Sequence, residues 1–203
     1  MATHVALLRG INLGARNKVA MATLRAVVES LGHTDVATYI QSGNVLFTAK
    51  GSAGKGGVGN DGGTAALAAE LEEAVAAGTG VPARVVVLSC AELARVVRDN
   101  PYPDEGNPRA VHAVFLTGKP GPELAGVVAA VQEKAAAKGS RDTARIVGRT
   151  LFIHTPDGFG RSDLAAQLVA AAGGAKTGVA GTARNWATVA KLLALCGPPG
   201  TAR

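Results

Sequence analysis

The sequence predicts an α+β protein with two ferredoxin-like halves, each a split β-α-β unit, and extra C-terminal helices. Three observations lead to this fold class. Apolar patterns before residue 90 follow the order strand, helix, strand, strand, helix, strand. A similar order starts again near residue 111, and the chain ends in apolar residues at helical spacing. We therefore expect a first half at residues 1–89, carrying a polar pocket, and a second at residues 90–203, with a linker and the C-terminal helices.

Composition sets the broad class of the protein. The chain has 203 residues, of which 47% are hydrophobic, enough for a core. No apolar run approaches the roughly 18 to 20 residues of a membrane span, so we expect a soluble, cytoplasmic protein without a membrane partner. The net charge of +6 suits an anionic partner. Charged residues are dispersed and aromatics make up only 3%, which gives weak support for nucleic acid. The oligomeric state stays open.

The first strands and helix have distinct patterns. Residues 3–8 are short and apolar, as in a buried strand. Apolar residues recur at helical spacing from residue 21 to residue 31, and Gly32 is suited to end that helix. Two β-branched stretches, residues 36–40 and 45–48, predict a hairpin.

A second helix and a fourth strand complete the first half. Residues 65–77 carry apolar side chains along one helical face, and residues 84–88 form an apolar stretch typical of a strand. The glycine-rich segment 50–63 between them predicts a flexible loop. Its Gly-x-Gly-x-x-Gly at residues 57–62 lies well past the preceding strand, whereas dinucleotide sites need that motif in the turn itself. We therefore expect no cofactor.

Two polar stretches of the first half predict one pocket. In a split β-α-β unit the first and second strands run the same way, so the loop after the first strand and the hairpin turn share one end of the sheet. The candidate ligand-binding residues there are Arg9, Asn12, Asn17, Lys18, Gln41, Ser42 and Asn44. They offer donors and cations without a carboxylate or histidine, which suits oxyanion recognition better than acid–base chemistry. Alternatively, the asparagines satisfy the backbone of their own loop.

The second half begins with a helix signal. Ser89 and Glu92 form a capping box for a helix through Val97, and a linker follows to Pro108. A strand at residues 111–116, a helix at 124–135 and a hairpin of residues 144–147 and 150–154 then repeat the first half.

Two helices are predicted after that hairpin. One begins at Ser162. The last spans about residues 183–195 with Thr182 as its N-cap, which places Arg184 and Asn185 in its first turn. These two residues have two interpretations: an anion site at the helix N-terminus, or ordinary capping and local ion pairing.

The other reactive residues predict no metal or catalytic centre. Cys90 and Cys196 are far apart in sequence and without a neighbouring histidine, so we expect two separate buried thiols and neither zinc nor a disulfide. The four histidines are scattered. His154, Asp157 and Ser162 would make an improbable triad, because a turn and a helix start explain them. Catalytic residues stay unassigned.

Several sequence blocks together resemble a known family. They are Leu7–Gly14, Asn17–Val19 with Met21, Tyr39–Val45 and Thr182–Val189. In this order they are similar to the domain of unknown function 1697 family. The resemblance implies an α+β fold with ferredoxin-like halves and no established activity. The family usually has proline where this chain has Ala20, and lysine where it has Asp163.

The sequence thus leaves two functional hypotheses. In the first, the pocket binds a small anionic ligand, phosphate- or nucleotide-like, at the end of the first sheet. In the second, the protein is an RNA- or protein-interaction module without catalytic activity, using the faces of its sheets.

Overall fold

The computed structural model describes residues 1–12, 14, 16–51, 61–175 and 177–197, with the backbone alone at residues 61 and 62. Within these ranges the chain forms two four-stranded antiparallel sheets and six α-helices. The predicted mixture of helices and strands is therefore confirmed. Most of the Gly-x-Gly-x-x-Gly segment and of the predicted glycine-rich loop lies outside the described residues, and a helix begins at Asp61, where the end of that loop was predicted.

The first sheet is built from the N-terminal part of the chain. Its elements are β1 (His4–Arg9), α1 (Met21–Ser30), β2 (Thr34–Tyr39), β3 (Asn44–Thr48), α2 (Asp61–Thr79) and β4 (Arg84–Ser89). The strand order is β2-β3-β1-β4, and every neighbouring pair is antiparallel. β3 thus lies between β1 and β2, which is the connection that the strand and helix order predicts.

The core of this part lies between the sheet and its two helices. Leu24 and Val28, one helical turn apart on α1, are almost fully buried, as are Leu71 and Val75 on α2. They pack against alternate residues of the strands, including Phe47, which is fully buried. The predicted apolar face of each helix is therefore the one that covers the sheet.

The second sheet repeats this arrangement. Its elements are β5 (Val111–Leu116), α4 (Pro122–Ala137), β6 (Thr143–Val147), β7 (Thr150–His154), α5 (Asp163–Ala171) and β8 (Gly181–Asn185), with α3 (Cys90–Arg98) before them and α6 (Trp186–Cys196) after them. The strand order is β6-β7-β5-β8, again antiparallel throughout.

β8 corrects the predicted last helix. Gly181–Asn185 pairs with β5, with Thr182 opposite Phe115, so the helix begins at Trp186. A Cβ atom on Gly181 would lie 2.9 Å from the carbonyl oxygen of Phe115, so close strand pairing there needs glycine. The N-cap is Asn185 rather than Thr182: its Oδ1 accepts a hydrogen bond of 2.8 Å from the amide of Thr188.

Two other predicted helix starts are confirmed. Ser89 and Glu92 form the reciprocal capping box of α3, with bonds of 2.7 Å from the Ser89 amide to Glu92 Oε2 and 3.1 Å from the Glu92 amide to Ser89 Oγ. The Ser162 hydroxyl accepts a hydrogen bond of 2.9 Å from the amide of Ala165 and caps α5.

The chain divides into two compact units. The first unit contains Met1–Arg95 and Lys191–Arg203, and the second contains Val96–Ala190. The chain therefore leaves the first unit within α3 and returns to it within α6. A domain boundary at residue 89 stays a prediction.

The prediction for the two cysteines was wrong. Cys90 and Cys196 form a disulfide bond, with their Cα atoms 5.8 Å apart, and they leave no free cysteine in the chain. Their separation of 106 residues along the sequence misled the prediction, because the return of α6 to the first unit brings its last residue beside the first residue of α3.

Candidate functional site

The two predicted polar stretches meet in the first unit through one side chain. Asn12, in the loop after β1, donates a hydrogen bond of 2.8 Å from Nδ2 to the carbonyl oxygen of Gln41 in the hairpin turn. The same amide group donates to the Val19 carbonyl at 3.1 Å and accepts from the Val19 amide at 2.9 Å. The topological prediction that these stretches share one end of the sheet is therefore confirmed.

A second asparagine closes the loop after β1. Asn17 donates a hydrogen bond of 2.8 Å to the carbonyl oxygen of Gly10, and its own carbonyl accepts one of 2.8 Å from the amide of Asn12. Both asparagine side chains are used by the backbone of their loop, as the alternative interpretation expected.

The hairpin turn is fixed in a similar way. Asn44 is fully buried and donates to the carbonyl oxygen of Tyr39 and to the hydroxyl of Ser42, both at 3.0 Å. The Leu8 amide bonds the carbonyl oxygen of Gly43 at 2.8 Å, which ties the turn to β1. The turn is therefore positioned by β1 and β3 together.

Of the four described non-glycine residues with a left-handed backbone, three lie in these two loops. Asn12 and Asn17 have φ angles of 53° and 51°, and Ile40 has one of 49°. Asparagine tolerates this region, but a β-branched residue such as Ile40 is strained there. A Cβ atom on Gly43 would lie 2.8 Å from Leu8 Cβ and Ile11 Cδ1, so this turn requires glycine. Such conformations persist only where their surroundings fix them.

The other predicted site residues lie in or next to these two hydrogen-bonded loops. Lys18, Gln41 and Ser42 are exposed, and Arg9 is half-buried at the end of β1. Arg9 pairs in register with Arg84 of β4, whose guanidinium lies 3.1 Å from the carboxylate of Glu72. Cationic residues at this end of the sheet and in the loop after β1 therefore include Arg9, Arg16, Lys18 and Arg84.

Arg184 and Asn185 belong to the second unit, where neither lies in a first helical turn. Arg184 is on β8, and its Nη1 donates to the Thr182 hydroxyl at 2.7 Å and to the Ala183 carbonyl at 2.8 Å. Burial lowers the pKa of Arg184 to about 10, so it stays a cation at neutral pH. The side chain of Asn185 caps α6, as its second interpretation stated.

The three residues of the improbable triad are used separately. His154 Nε2 lies 2.6 Å from the carboxylate of Glu105. Asp157 pairs with Arg141, and the Ser162 hydroxyl donates to Asp142 at 2.7 Å. In the described residues no group of three or more histidine, cysteine, aspartate or glutamate side chains is arranged to hold a metal ion.

Sequence reasoning missed two polar features of the second unit. His154 stacks on Tyr102 as well as pairing with Glu105, a residue 49 positions away that no local spacing would reveal. His112 stacks on Phe159 with ring centroids 3.7 Å apart, and its buried Nδ1 has no hydrogen-bond partner among the described residues. Burial lowers the pKa of His112 to about 4.

Comparison with known proteins places the chain in a family. The profile described as protein of unknown function (DUF1697) matches residues 1–152, well over half of the chain. The chain belongs to this family. Its match includes the loop after β1 and the hairpin turn, whereas the block Thr182–Val189 lies beyond it. No curated protein matches the chain.

A solved structure supports the fold. The conserved bacterial protein SP0830 from Streptococcus pneumoniae is similar, with a TM-score of 0.60 and 20% sequence identity over 96% of this chain and 98% of that one. At this identity the similarity concerns the fold alone. None of the helices in the described part of the DUF1697 chain is long and apolar enough to cross a membrane.

Proposed function

We propose that the two loops of the first unit bind a small anionic ligand, phosphate- or nucleotide-like. The observation that carries this proposal is the Asn12 side chain, which joins the two loops through a 2.8 Å hydrogen bond to Gln41. A site whose backbone is fixed before the ligand arrives loses less conformational entropy on binding. The loops are thus a preorganised frame with Lys18 and Gln41 at its exposed surface.

The chemistry of the loops favours an anion. Neither residues 9–18 nor residues 39–44 contain a carboxylate or an imidazole, while both supply donors. The recognition groups of the proposal are Arg9, Lys18, Gln41 and peptide N–H groups of the two loops. The amides of Asn12 and Asn17 bond backbone carbonyls. Charge-assisted hydrogen bonds from such cations are about twice as strong as neutral ones. The proposal concerns binding and assigns no catalytic residue.

The alternative function, an RNA- or protein-interaction module, would use the faces of the sheets. In the first sheet the face turned away from α1 and α2 carries Leu7 and Leu46, which are 0% and 2% exposed. RNA-recognition sheets instead expose aromatic side chains on that face. The fixed backbone of the two loops therefore supports anion binding more strongly than the buried face of the first sheet supports RNA binding.

Two further statements belong to the proposal. The strand orders β2-β3-β1-β4 and β6-β7-β5-β8 support the description of each half as ferredoxin-like. We also propose a cytoplasmic location.

A thermal-shift screen tests the anion site. Nucleotides, sugar phosphates and carboxylates are screened against the intact protein, and one class is expected to raise its melting temperature by about 5 °C or more at saturation, since a ligand at a hundredfold its Kd stabilises by about 2.7 kcal/mol. Lys18→Ala and Gln41→Ala should lose this shift while keeping the unliganded melting temperature. Gln41→Ala retains the backbone carbonyl that Asn12 bonds.

Arg109→Ala provides a charge-matched control, because Arg109 is exposed in the second unit. This variant should keep the full shift. Absence of any shift in the wild type across the screen would contradict the anion proposal, and retention on immobilised RNA that falls steeply with salt would favour the alternative.

A further inference from the structure

We propose that the Cys90–Cys196 disulfide is a redox-reversible clasp that holds the last turns of α6 against the first sheet. The bond joins the first residue of α3 to the last residue of α6. Both residues belong to the first unit, and the whole second unit lies between them along the chain. The disulfide therefore fastens the segment by which the chain returns to the first unit.

That returning segment is short. After Arg95, the described residues that belong to the first unit are Lys191 to Gly197 alone. Leu192 and Cys196 are buried among them, whereas Leu195 is 44% exposed. A segment this small buries little apolar surface, so a covalent bond at its end contributes a large part of its attachment.

The clasped segment forms one wall of a cavity. The cavity measures about 310 Å³, and its lining includes Ala37 and Leu46 of the sheet and Lys191 and Leu195 of α6. Leu46 pairs with Val5 and Ala37 in the sheet and lies on the face turned away from α1 and α2. Release of α6 at this point would open the cavity and uncover the side chain of Leu46.

The bond is placed where a thiol can reach it. Cys90 is only half-buried, while Cys196 is 5% exposed. In the cytoplasm, where we propose that the protein resides, a disulfide that forms is usually transient and redox-sensing rather than structural. A redox-sensing role for the clasp therefore rests on the proposed cytoplasmic location. The reversibility of the disulfide can be measured in vitro whatever the location of the protein.

The chemistry is thiol–disulfide exchange. A thiolate of glutathione attacks one sulfur, the Cys90–Cys196 bond breaks, and the other cysteine leaves as a thiolate that takes up a proton. A second glutathione thiolate then resolves the mixed disulfide. In total, two glutathione thiols are oxidised to one glutathione disulfide, and the protein gains two electrons and two protons as two thiols.

Tryptic cleavage after Lys191 tests the clasp. Lys191 is exposed on α6 and is followed by the buried Leu192, so cleavage requires local opening of the segment. Reduced glutathione should make both cysteines available to an alkylating reagent and raise the cleavage rate at Lys191 at least about tenfold. Lys134 is the internal reference, because it is exposed on α4 and followed by the buried Ala135, and its cleavage rate should stay unchanged.

Cys90→Ala/Cys196→Ala is the matched variant, expected to be cleaved rapidly at Lys191 with and without glutathione. Three results would overturn the clasp: cysteines that stay unlabelled in millimolar reduced glutathione, cysteines that are fully labelled in air-oxidised protein, or reduction without faster cleavage at Lys191. If the variant folds poorly, the wild-type protein with and without glutathione still shows whether reduction of the disulfide opens the α6 segment. None of these results depends on ligand binding, so failure of the clasp and failure of the anion site are separate outcomes.

Discussion

The two units reach the same strand order with very different loops. In the first unit residues 10–20 connect β1 to α1 and residues 40–43 form the hairpin turn, whereas the second unit uses residues 117–121 and the pair 148–149. Short connections therefore suffice for this topology. The first unit nevertheless carries longer loops with left-handed Asn12 and Asn17 and a strained Ile40. The greater length of these two loops is compatible with the ligand-binding role that we propose for them.

The largest expected effect on the free energy of unfolding is in the apolar cores, which both units have. Leu24 on α1 and Leu124 on α4 are both fully buried against their own sheets. Replacing either by alanine removes buried methyl groups and leaves a cavity, so Leu24→Ala and Leu124→Ala should each lower the free energy of unfolding by about 2–5 kcal/mol. Urea denaturation measures both values. A loss below about 1 kcal/mol in one unit would contradict the equivalence of the two cores.

The next effect is specific to the first unit. Asn12→Ala removes three hydrogen bonds and places alanine at a φ of 53°, so it should lower the free energy of unfolding by about 1–3 kcal/mol and abolish any ligand-induced stabilisation. Asn12→Gly is the control for backbone strain, because glycine accepts this φ but makes no side-chain bonds. Denaturation with and without ligand measures both effects. If Asn12→Ala is as stable as the wild type, the Asn12 side chain does not hold the two loops together as described.

A pH effect is expected from His112 in the second unit. The pKa of His112 is lowered to about 4 in the folded protein, against about 6.5 in an unfolded chain, so only the unfolded state binds the proton between these values. The contribution of His112 to stability should therefore be constant above pH 6.5 and fall by about 2 kcal/mol as the pH drops to 4, after allowance for solvent screening.

His112→Phe removes this titration and keeps an aromatic ring beside Phe159. Its denaturation midpoint should change less between pH 6.5 and pH 4 than that of the wild type. Equal pH dependence in the two proteins would show that His112 does not titrate as stated.

The smallest expected effect on stability is at the proposed site. Lys18 is exposed, and Lys18→Ala should change the free energy of unfolding by no more than about 0.5 kcal/mol while weakening ligand binding. Lys119→Ala, at an exposed position in the corresponding connection of the second unit, should leave both properties unchanged. Calorimetric titration compares the two variants, and equal affinities would contradict the assignment of the site to the first unit.

The sequence predicted most elements because their patterns are local. The apolar spacing of α1 and the capping box at Ser89 and Glu92 depend on residues within a few positions of one another. β8 escaped prediction because Gly181–Asn185 is stabilised by pairing with β5, a partner far away in sequence. The disulfide escaped for the same reason, since only the fold brings Cys90 and Cys196 together.

The arrangement of the two candidate loops was predicted in part. Topology correctly placed the loop after β1 beside the hairpin turn, and Asn12 bonds Gln41 there. The residue types alone could not separate donors that face a ligand from donors that brace the backbone. Asn12, Asn17 and Asn44 belong to the second group because their amides bond backbone carbonyls.

Amide chemical shifts of the uniformly labelled protein test the central comparison most directly. Adenosine monophosphate and inorganic phosphate are titrated into the intact chain. Saturable shifts are predicted for amides of residues 10–12, 16–20 and 40–43, with none at residues 117–121 or 148–149. Shifts of similar size in the loops of both units, or no saturable shift in either, would contradict the account.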